Sequence, residues 1–149
     1  MPNAPLTDIR EAADIDRLMA AFYGRLLDDS IIGFFFTEIS PIDLERHLPI
    51  VSAFWQQQLL GRPGYNGQTF AVHRHLHQRC PLLPEHFHRW LFLFEASVDT
   101  LFQGPTADAA KRRAQRIAAS LQEALATRYP SAPGAEPGTV GTYDPDAAG

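Results

Sequence analysis

Apolar residues recur at three- and four-residue steps along most of the chain, which is the spacing of one face of an α-helix. The first such stretch places five apolar residues on one face: Ile15, Leu18, Met19, Phe22 and Leu26. Asp14 precedes this face and can cap the helix, while Tyr23 lies at the edge of the face. No segment shows the sustained alternation of apolar and polar residues that a half-buried strand requires. The pattern therefore predicts an all-α fold.

The second helical region contains a proline that divides it. Ser40 and Pro41 predict a helix start, because proline fits the first helical position. Pro49 then allows two arrangements. Either a short helix ends before His47 and a second one begins there, or one helix continues with a kink; the first arrangement costs less free energy. Three candidate residues share a face of the second helix: His47, Val51 and Phe54.

Two turns and two longer helices complete the pattern. After the glycine-rich turns near Gly61 and Gly67, the spacing predicts a short helix over about 69–78. From Pro84 a continuous apolar stripe predicts a long helix that ends at Gly104: Phe87, Trp90, Leu91, Phe94, Val98, Leu101 and Phe102. Thr106 is predicted to cap the last helix. The chain thus carries five or six helices.

The length and the terminal compositions set the domain limits. A chain of 149 residues is the size of one domain, large enough for a core that encloses a flat cofactor. Residues 1–11 are predicted to be a flexible lead and residues 12–129 the folded domain. Residues 130–149 are rich in proline and glycine and can bury little apolar surface, so they are predicted to be a disordered tail.

Charge and cysteine content narrow the functional classes. The net charge of −4 and the pI near 5.8 argue against nucleic-acid binding, which needs clustered cations. Cys80 is the one cysteine and can form no disulfide within the chain. The N-terminus lacks the apolar core of a secretory signal, and no apolar run is long enough to span a membrane. These features predict a cytoplasmic protein without a membrane partner.

Histidines are concentrated in one segment. Five of the six lie between positions 73 and 88. His73, His75 and His77 follow one another at steps of two, which on a helix separates neighbours by about 200° and prevents all three from binding one metal ion. One of the three could still bind haem iron, since a single neutral imidazole is a common iron ligand; the alternative is that all three are surface residues. His86 and His88 are predicted to be solvated.

Tyr23 and Trp90 each combine an apolar ring with one polar hydrogen. Both lie on or beside apolar helix faces. A buried phenol O–H or indole N–H needs a hydrogen-bond acceptor. Either a backbone carbonyl or a bound polar ligand could supply that acceptor, and the two residues are therefore candidate ligand-binding groups.

Six motifs in order carry a resemblance to a known family. They are AFYGRLLDD around Tyr23, the triple phenylalanine at 34–36, HLPIVSAFW from His47, the YNGQ turn, AVH ending at His73, and HFHRWLFLF around Trp90. Together they resemble the third group of the truncated haemoglobins over about residues 12–129. Each motif alone is weak, but the ordered set is specific.

This resemblance implies a globin-like fold, shortened to two helices crossed over two, which encloses haem b. It implies that His73 is the axial iron ligand and that Tyr23, His47 and Trp90 stabilise the bound ligand on the opposite side of the haem. It also implies that Phe36 packs on the porphyrin. The remaining apolar walls would come from four residues: Val51, Phe54, Phe87 and Phe94.

The implied function is reversible binding of O2, NO or other diatomic ligands. Several hydrogen-bond donors around the ligand would slow O2 release, which favours NO detoxification or peroxide chemistry with an external electron donor or reductase over transport. Two alternatives stay open. One is a haem-based sensor or carrier without turnover, and the other is a haem-free helical interaction module. The sequence does not specify an oligomeric state.

Overall fold

The computed structural model describes residues 5–65 and 67–128, and most of these residues are helical. Five α-helices are present: α1 (Ala12–Asp28), α2 (Leu44–Leu60), α3 (Thr69–Arg79), α4 (Pro84–Leu101) and α5 (Pro105–Arg128). A five-residue π-helix, Phe35–Ile39, lies between α1 and α2. The all-α prediction is confirmed, and the short helix predicted at 69–78 corresponds to α3. None of the helices in the described residues is long and apolar enough to cross a membrane.

The helices pack around an aromatic centre. α1 packs against α2 and α4, and α4 packs against α5, whereas α3 contacts α5 and the π-helix. Phe22 of α1 meets Phe94 of α4 edge to face at a centroid distance of 5.2 Å. Trp55 of α2 stacks on the same Phe94 ring at 4.8 Å. Because α1, α2 and α4 share this centre while α3 packs elsewhere, space remains between α3 and the other helices.

α2 is one continuous helix, so the predicted break before His47 is wrong. The helix begins at Leu44 rather than at Pro41, because the carboxylate of Asp43 accepts a hydrogen bond from the N–H of Glu45 at 3.1 Å. Pro49 lies inside the helix. Proline removes the hydrogen bond to the carbonyl four residues earlier, which belongs to Glu45. Both residues are exposed, so water can hydrate that carbonyl and the helix continues.

From Thr7 onward the N-terminal segment is held to the helical domain by hydrogen bonds and burial. This corrects the prediction of a flexible segment over residues 1–11. The carbonyl of Thr7 accepts a hydrogen bond from the N–H of Gln103 at 2.9 Å, and Ile9 is buried in the core. The carboxylate of Asp8 accepts hydrogen bonds from the N–H groups of Thr106 and Ala107 at 3.0 and 2.8 Å. Asp8 therefore caps α5, not Thr106 as predicted. The predicted tail over residues 130–149 lies outside the described residues.

Replacing Asp8 by alanine should lower the free energy of unfolding by about 1 kcal/mol at pH 7, because it removes the cap of α5. Burial alone raises the pKa of Asp8, but backbone hydrogen bonds from Thr106, Ala107 and Ile9 outweigh this and hold the pKa below its ordinary value. A carboxylate with a lowered pKa stabilises the fold above its ordinary pKa, and this contribution is lost as the pH falls through the folded-state value.

Urea unfolding at pH 7 and near pH 3 would measure the effect. The difference between wild type and Asp8→Ala should shrink at the lower pH. Asp16→Ala, which removes an exposed acid from α1, is the matched control and should change stability little at either pH. An equal loss at both pH values would contradict the proposed role of the Asp8 carboxylate.

Candidate functional site

One large cavity is lined by residues from all five α-helices and the π-helix. Its volume is about 190 Å³. A single buried water needs only about 10–15 Å³ by the same kind of measure, so the cavity is far too large to be a packing defect. Most of the side chains that line it are aromatic or aliphatic. A site of this kind suits an apolar cofactor or ligand of substantial size.

His73 of α3 presents one imidazole nitrogen that can bind a metal. Its Nδ1 lies 2.7 Å from the carbonyl oxygen of Thr69, and His73 lines the cavity. A carbonyl can only accept a hydrogen bond, so Nδ1 carries the hydrogen and Nε2 keeps its lone pair. Burial lowers the pKa of His73, although the bond to Thr69 opposes this, and the ring therefore stays neutral near pH 7.

The other two histidines of the His73 segment do not line the cavity. The Nδ1 atom of His77 accepts a hydrogen bond from the N–H of Leu82 at 2.9 Å and so joins α3 to the turn before α4. His75 also lies outside the cavity wall. Of the three histidines that spacing alone could not separate, only His73 is brought to the cavity.

Tyr23 and His47 form a buried pair in another part of the cavity wall. The Tyr23 hydroxyl lies 3.0 Å from Nε2 of His47, and the two rings meet edge to face. Their exposed fractions are only 7% and 8%. Burial raises the pKa of Tyr23, so its phenol remains protonated. The hydrogen-bond partner of Tyr23 is thus an imidazole and not the backbone carbonyl that was one of the sequence-based alternatives.

Trp90 contributes an indole to the cavity wall from α4. Its ring meets Phe22 edge to face at 5.7 Å and stacks on Phe94 at 5.7 Å with an angle of 12° between planes. These contacts fix the ring on two sides. The indole N–H can only donate a hydrogen bond, so Trp90 adds a donor to an otherwise apolar surface. Trp90, Tyr23 and His47 are thus brought together around one space.

The five residues predicted to form the apolar walls of the site differ in their position relative to the cavity. Four of the five line the cavity: Phe36, Val51, Phe54 and Phe87. Phe36 also meets the ring of Tyr23 edge to face at 5.9 Å. Phe94 was predicted to form part of the wall, but it does not line the cavity. It is fully buried behind Trp90, where it also stacks on Trp55, because the core of α1, α2 and α4 closes over it.

His86 is a cavity residue that the sequence prediction missed. It was predicted to be solvated, but its half-buried ring meets Phe35 edge to face at 4.9 Å and lines the cavity. Its Nδ1 accepts a hydrogen bond from the N–H of Leu83 at 2.9 Å, so the neutral ring carries its hydrogen on Nε2. The Nε2 atom of His86 is therefore a hydrogen-bond donor, whereas the Nε2 atom of His73 has a lone pair. Its place in the first turn after Pro84 was the available signal, since a side chain there can reach back to the helix start.

Tyr65 and Thr69 were also missed as cavity residues. Their hydroxyl groups share a hydrogen bond of 2.7 Å, and both residues line the cavity. Tyr65 belongs to the turn that the sequence motif YNGQ marks, and Asn66 of that motif lies outside the described residues. Tyr65 and Thr69 thus supply two polar groups to the cavity near the start of α3.

A metal in this cavity would need most of its ligands from a cofactor. Among residues 5–65 and 67–128 no three histidine, cysteine, aspartate or glutamate side chains come together to hold a metal ion. His73 lines the apolar wall, and the bond from its Nδ1 to a carbonyl leaves the lone pair of Nε2 available to a metal. This donor set fits haem, because a porphyrin supplies four nitrogen ligands, packs against apolar side chains and needs one imidazole from the protein.

The helical fold and the apolar cavity lined by His73 are those of a globin-type haem protein. No family model matches the sequence. The chain is 32% identical over 114 residues to the group 3 truncated hemoglobin Ctb of Campylobacter jejuni, a match that covers 74% of this chain and 87% of that protein. The crystal structure of group III truncated hemoglobin from C. jejuni is similar with a TM-score of 0.70 and 30% identity, covering 83% of this chain and 98% of that one. The protein belongs to the group III truncated haemoglobins, and the fold predicted from the resemblance is confirmed.

Proposed function

We propose that the protein holds haem b through His73 and binds O2, NO or a similar diatomic ligand beside Tyr23, His47 and Trp90. Membership of the globin family supports a haem protein that binds small diatomic ligands. The observation that carries the residue assignment is the hydrogen bond from Nδ1 of His73 to the Thr69 carbonyl, because it leaves Nε2 able to bind iron. The one cysteine, Cys80, cannot form the paired-cysteine motif of covalent haem attachment, which favours haem b.

When bound, haem supplies an iron atom with one coordination position for a diatomic ligand. The residues of this chain determine how long that ligand stays. A ligand such as O2 gains negative charge on binding, and an N–H or O–H group stabilises that charge more strongly in an apolar cavity than in water. Tyr23 and Trp90 offer these hydrogens from α1 and α4.

The pairing of Tyr23 with His47 decides where the hydroxyl hydrogen goes. The phenol stays protonated, and it has one hydrogen to donate. When Nε2 of His47 carries a hydrogen, it can donate to the Tyr23 oxygen, and the phenol hydrogen is then available to the ligand. When Nε2 lacks a hydrogen, Tyr23 donates to His47 instead across the 3.0 Å contact. His47 therefore controls how strongly Tyr23 can hold the ligand, whereas Trp90 is a donor in either case.

A cavity with two or three donors favours slow ligand release, which suits chemistry better than transport. We infer that the physiological role is NO detoxification or peroxide turnover with electrons from an external donor. Chemistry of this kind would consume electrons, so continued turnover would need a reductase or an equivalent partner. The polar groups at the ligand position, Tyr23 and Trp90, would hold the oxygen-containing reactant in place during that chemistry.

We expect the reduced, oxygenated protein to consume NO repeatedly when an electron donor and a compatible reductase are present. An NO electrode would record successive additions of NO to the same sample. Without the donor, consumption should stop after about one equivalent of NO per haem, because nothing regenerates the reduced state. If consumption stops after one equivalent with the donor present as well, the protein is a carrier or sensor under these conditions and the turnover proposal is contradicted.

A further inference from the structure

We propose that Tyr65 is a positioning residue for the axial imidazole: through Thr69 it fixes the carbonyl that orients His73, and it ties α3 to α2 across the cavity. The inference rests on the proposed iron ligand, His73. The ligand assignment already uses the backbone carbonyl of Thr69, but it requires no role for the Thr69 hydroxyl or for Tyr65.

The first step is a chain of two short hydrogen bonds. The Tyr65 and Thr69 hydroxyls share a hydrogen bond of 2.7 Å, and the carbonyl oxygen of the same Thr69 lies 2.7 Å from Nδ1 of His73. Thr69 is therefore held through its side chain while its backbone orients the imidazole. A partner on Nδ1 determines both the ring orientation and the basicity of a metal-binding histidine. The position of Thr69 thus bears directly on the proposed iron ligand.

The second step is the way α3 begins. Thr69 is its first residue, and the preceding Gln68 makes no side-chain capping bond. The first turn of a helix without such a cap is prone to fray, and the hydrogen bonds there are the least protected. The Tyr65 hydroxyl bonds a side chain in this turn from outside the helix. We infer that it replaces a cap in holding the turn that carries the Thr69 carbonyl.

The third step is the location of the Tyr65 ring. It meets Phe54 of α2 edge to face at a centroid distance of 5.1 Å. α2 packs mainly on α1 and α5, whereas α3 packs on α5 and the π-helix. Tyr65 therefore contacts α2 with its ring and α3 with its hydroxyl. Since α2 carries His47 and α3 carries His73, this one side chain bridges the helices that bear the two histidines.

Two substitutions remove the hydroxyl contact and keep most of the shape. Tyr65→Phe retains the ring against Phe54, and Thr69→Val retains the branched side chain. Each should increase the rate of hemin loss to an excess of scavenger roughly two- to tenfold, as expected for the loss of one hydrogen bond. Each should also shift the iron–histidine stretching band of the reduced protein to lower frequency, because a less well placed carbonyl makes the imidazole less basic.

The design includes three controls. Thr69→Ser keeps the hydroxyl and should restore the wild-type band and rate. The double variant Tyr65→Phe with Thr69→Val should lose no more than either single variant, since both remove the same bond. Thr127→Val removes a hydroxyl that bonds a helix carbonyl at the far end of α5, and it should change neither readout.

Several results would overturn the inference. The first is a Tyr65→Phe protein with the wild-type iron–histidine band and the wild-type rate of hemin loss. The second is a double variant in which the effects of Tyr65→Phe and Thr69→Val add. The third is a Thr69→Ser protein that behaves like Thr69→Val. A band that moves only in proportion to a loss in the urea midpoint would assign Tyr65 a general stabilising role and would also overturn the inference.

If the iron–histidine band survives in His73→Gly, the assignment of His73 as the axial ligand has itself failed. If that band is lost there but is unchanged in Tyr65→Phe, only the present inference has failed.

Discussion

Replacing His73 by glycine should abolish the iron–histidine stretching band of the reduced protein and weaken hemin binding. Removing a residue that hydrogen-bonds to a metal ligand lowers metal affinity roughly 10- to 100-fold, and removal of the ligand itself should lower it further. The reason is that His73 is the cavity histidine whose Nδ1 is bonded to a carbonyl, which leaves Nε2 with a lone pair. His86 also lines the cavity, but its Nδ1 accepts a hydrogen bond from the N–H of Leu83. Its Nε2 therefore carries the hydrogen and has no lone pair to offer to iron in place of His73. Absorption spectroscopy and hemin transfer would measure both effects.

His75→Gly is the matched control. It lies two residues further along α3, does not line the cavity, and costs the helix a similar amount through its glycine. It should retain the wild-type spectrum. Added imidazole should restore the spectrum of His73→Gly, because the substitution leaves room for the missing ring. A His73→Gly protein with the wild-type band, or a His75→Gly protein without it, would show that the ligand has been assigned to the wrong residue.

Tyr23→Phe should increase the O2 dissociation rate by one to two decades. A hydrogen bond to a group that carries charge contributes about 1.5–3 kcal/mol, and each 1.4 kcal/mol is a factor of ten. The lower end of the range applies if His47 takes the phenol hydrogen for much of the time. Trp90→Leu should act in the same direction. Stopped-flow displacement of O2 measures the rate for each variant.

Phe92→Leu is the control for the second substitution. Phe92 lies on the same helix as Trp90 but is 59% exposed, so its loss should leave the dissociation rate unchanged. The two donors are coupled through the ligand, and a double variant tests whether their effects add. Wild-type dissociation rates in both Tyr23→Phe and Trp90→Leu would contradict the assignment of these residues as ligand donors.

The helices were predictable where local signals agree with one another. Pro84 at the start of α4 and the apolar stripe after it predicted that helix correctly up to Leu101, although the helix ends there and not at Gly104, with Phe102 already extended. α2 was mispredicted because the cost of Pro49 depends on where the neighbouring carbonyl points, and this is a property of the folded surface. The cap of α5 was mispredicted for a related reason. Asp8 is almost one hundred positions from Thr106, and no local pattern indicates that the two will meet.

The site was predictable in its components but not in its connections. Spacing excluded a site that uses all three of His73, His75 and His77, and the family resemblance then selected His73 as the candidate axial ligand. The hydrogen bond between Tyr23 and His47 joins residues that are 24 positions apart, and periodicity carries no information about it. The resemblance named both residues, while the structure adds that they share one hydrogen.

Apolar periodicity also cannot distinguish the wall of a cavity from the core behind it. Phe87, Trp90 and Phe94 lie on one stripe of α4, yet the first two line the cavity and the third is fully buried. His86 shows the converse case. A polar residue near a helix start was assigned to solvent, although the ring contacts Phe35 and lines the cavity. Which side of a helix faces an internal space depends on the neighbouring helices, and these are known only once the fold is known.

The most direct test of haem binding by His73 is a hemin titration of the purified wild-type protein, followed by its absorption spectrum and its circular dichroism. A single hemin per chain should produce a sharp Soret band, and reduction should yield an iron–histidine stretching band that is missing in His73→Gly. A fully helical protein that acquires no Soret band on addition of hemin would contradict the proposal that this cavity holds haem.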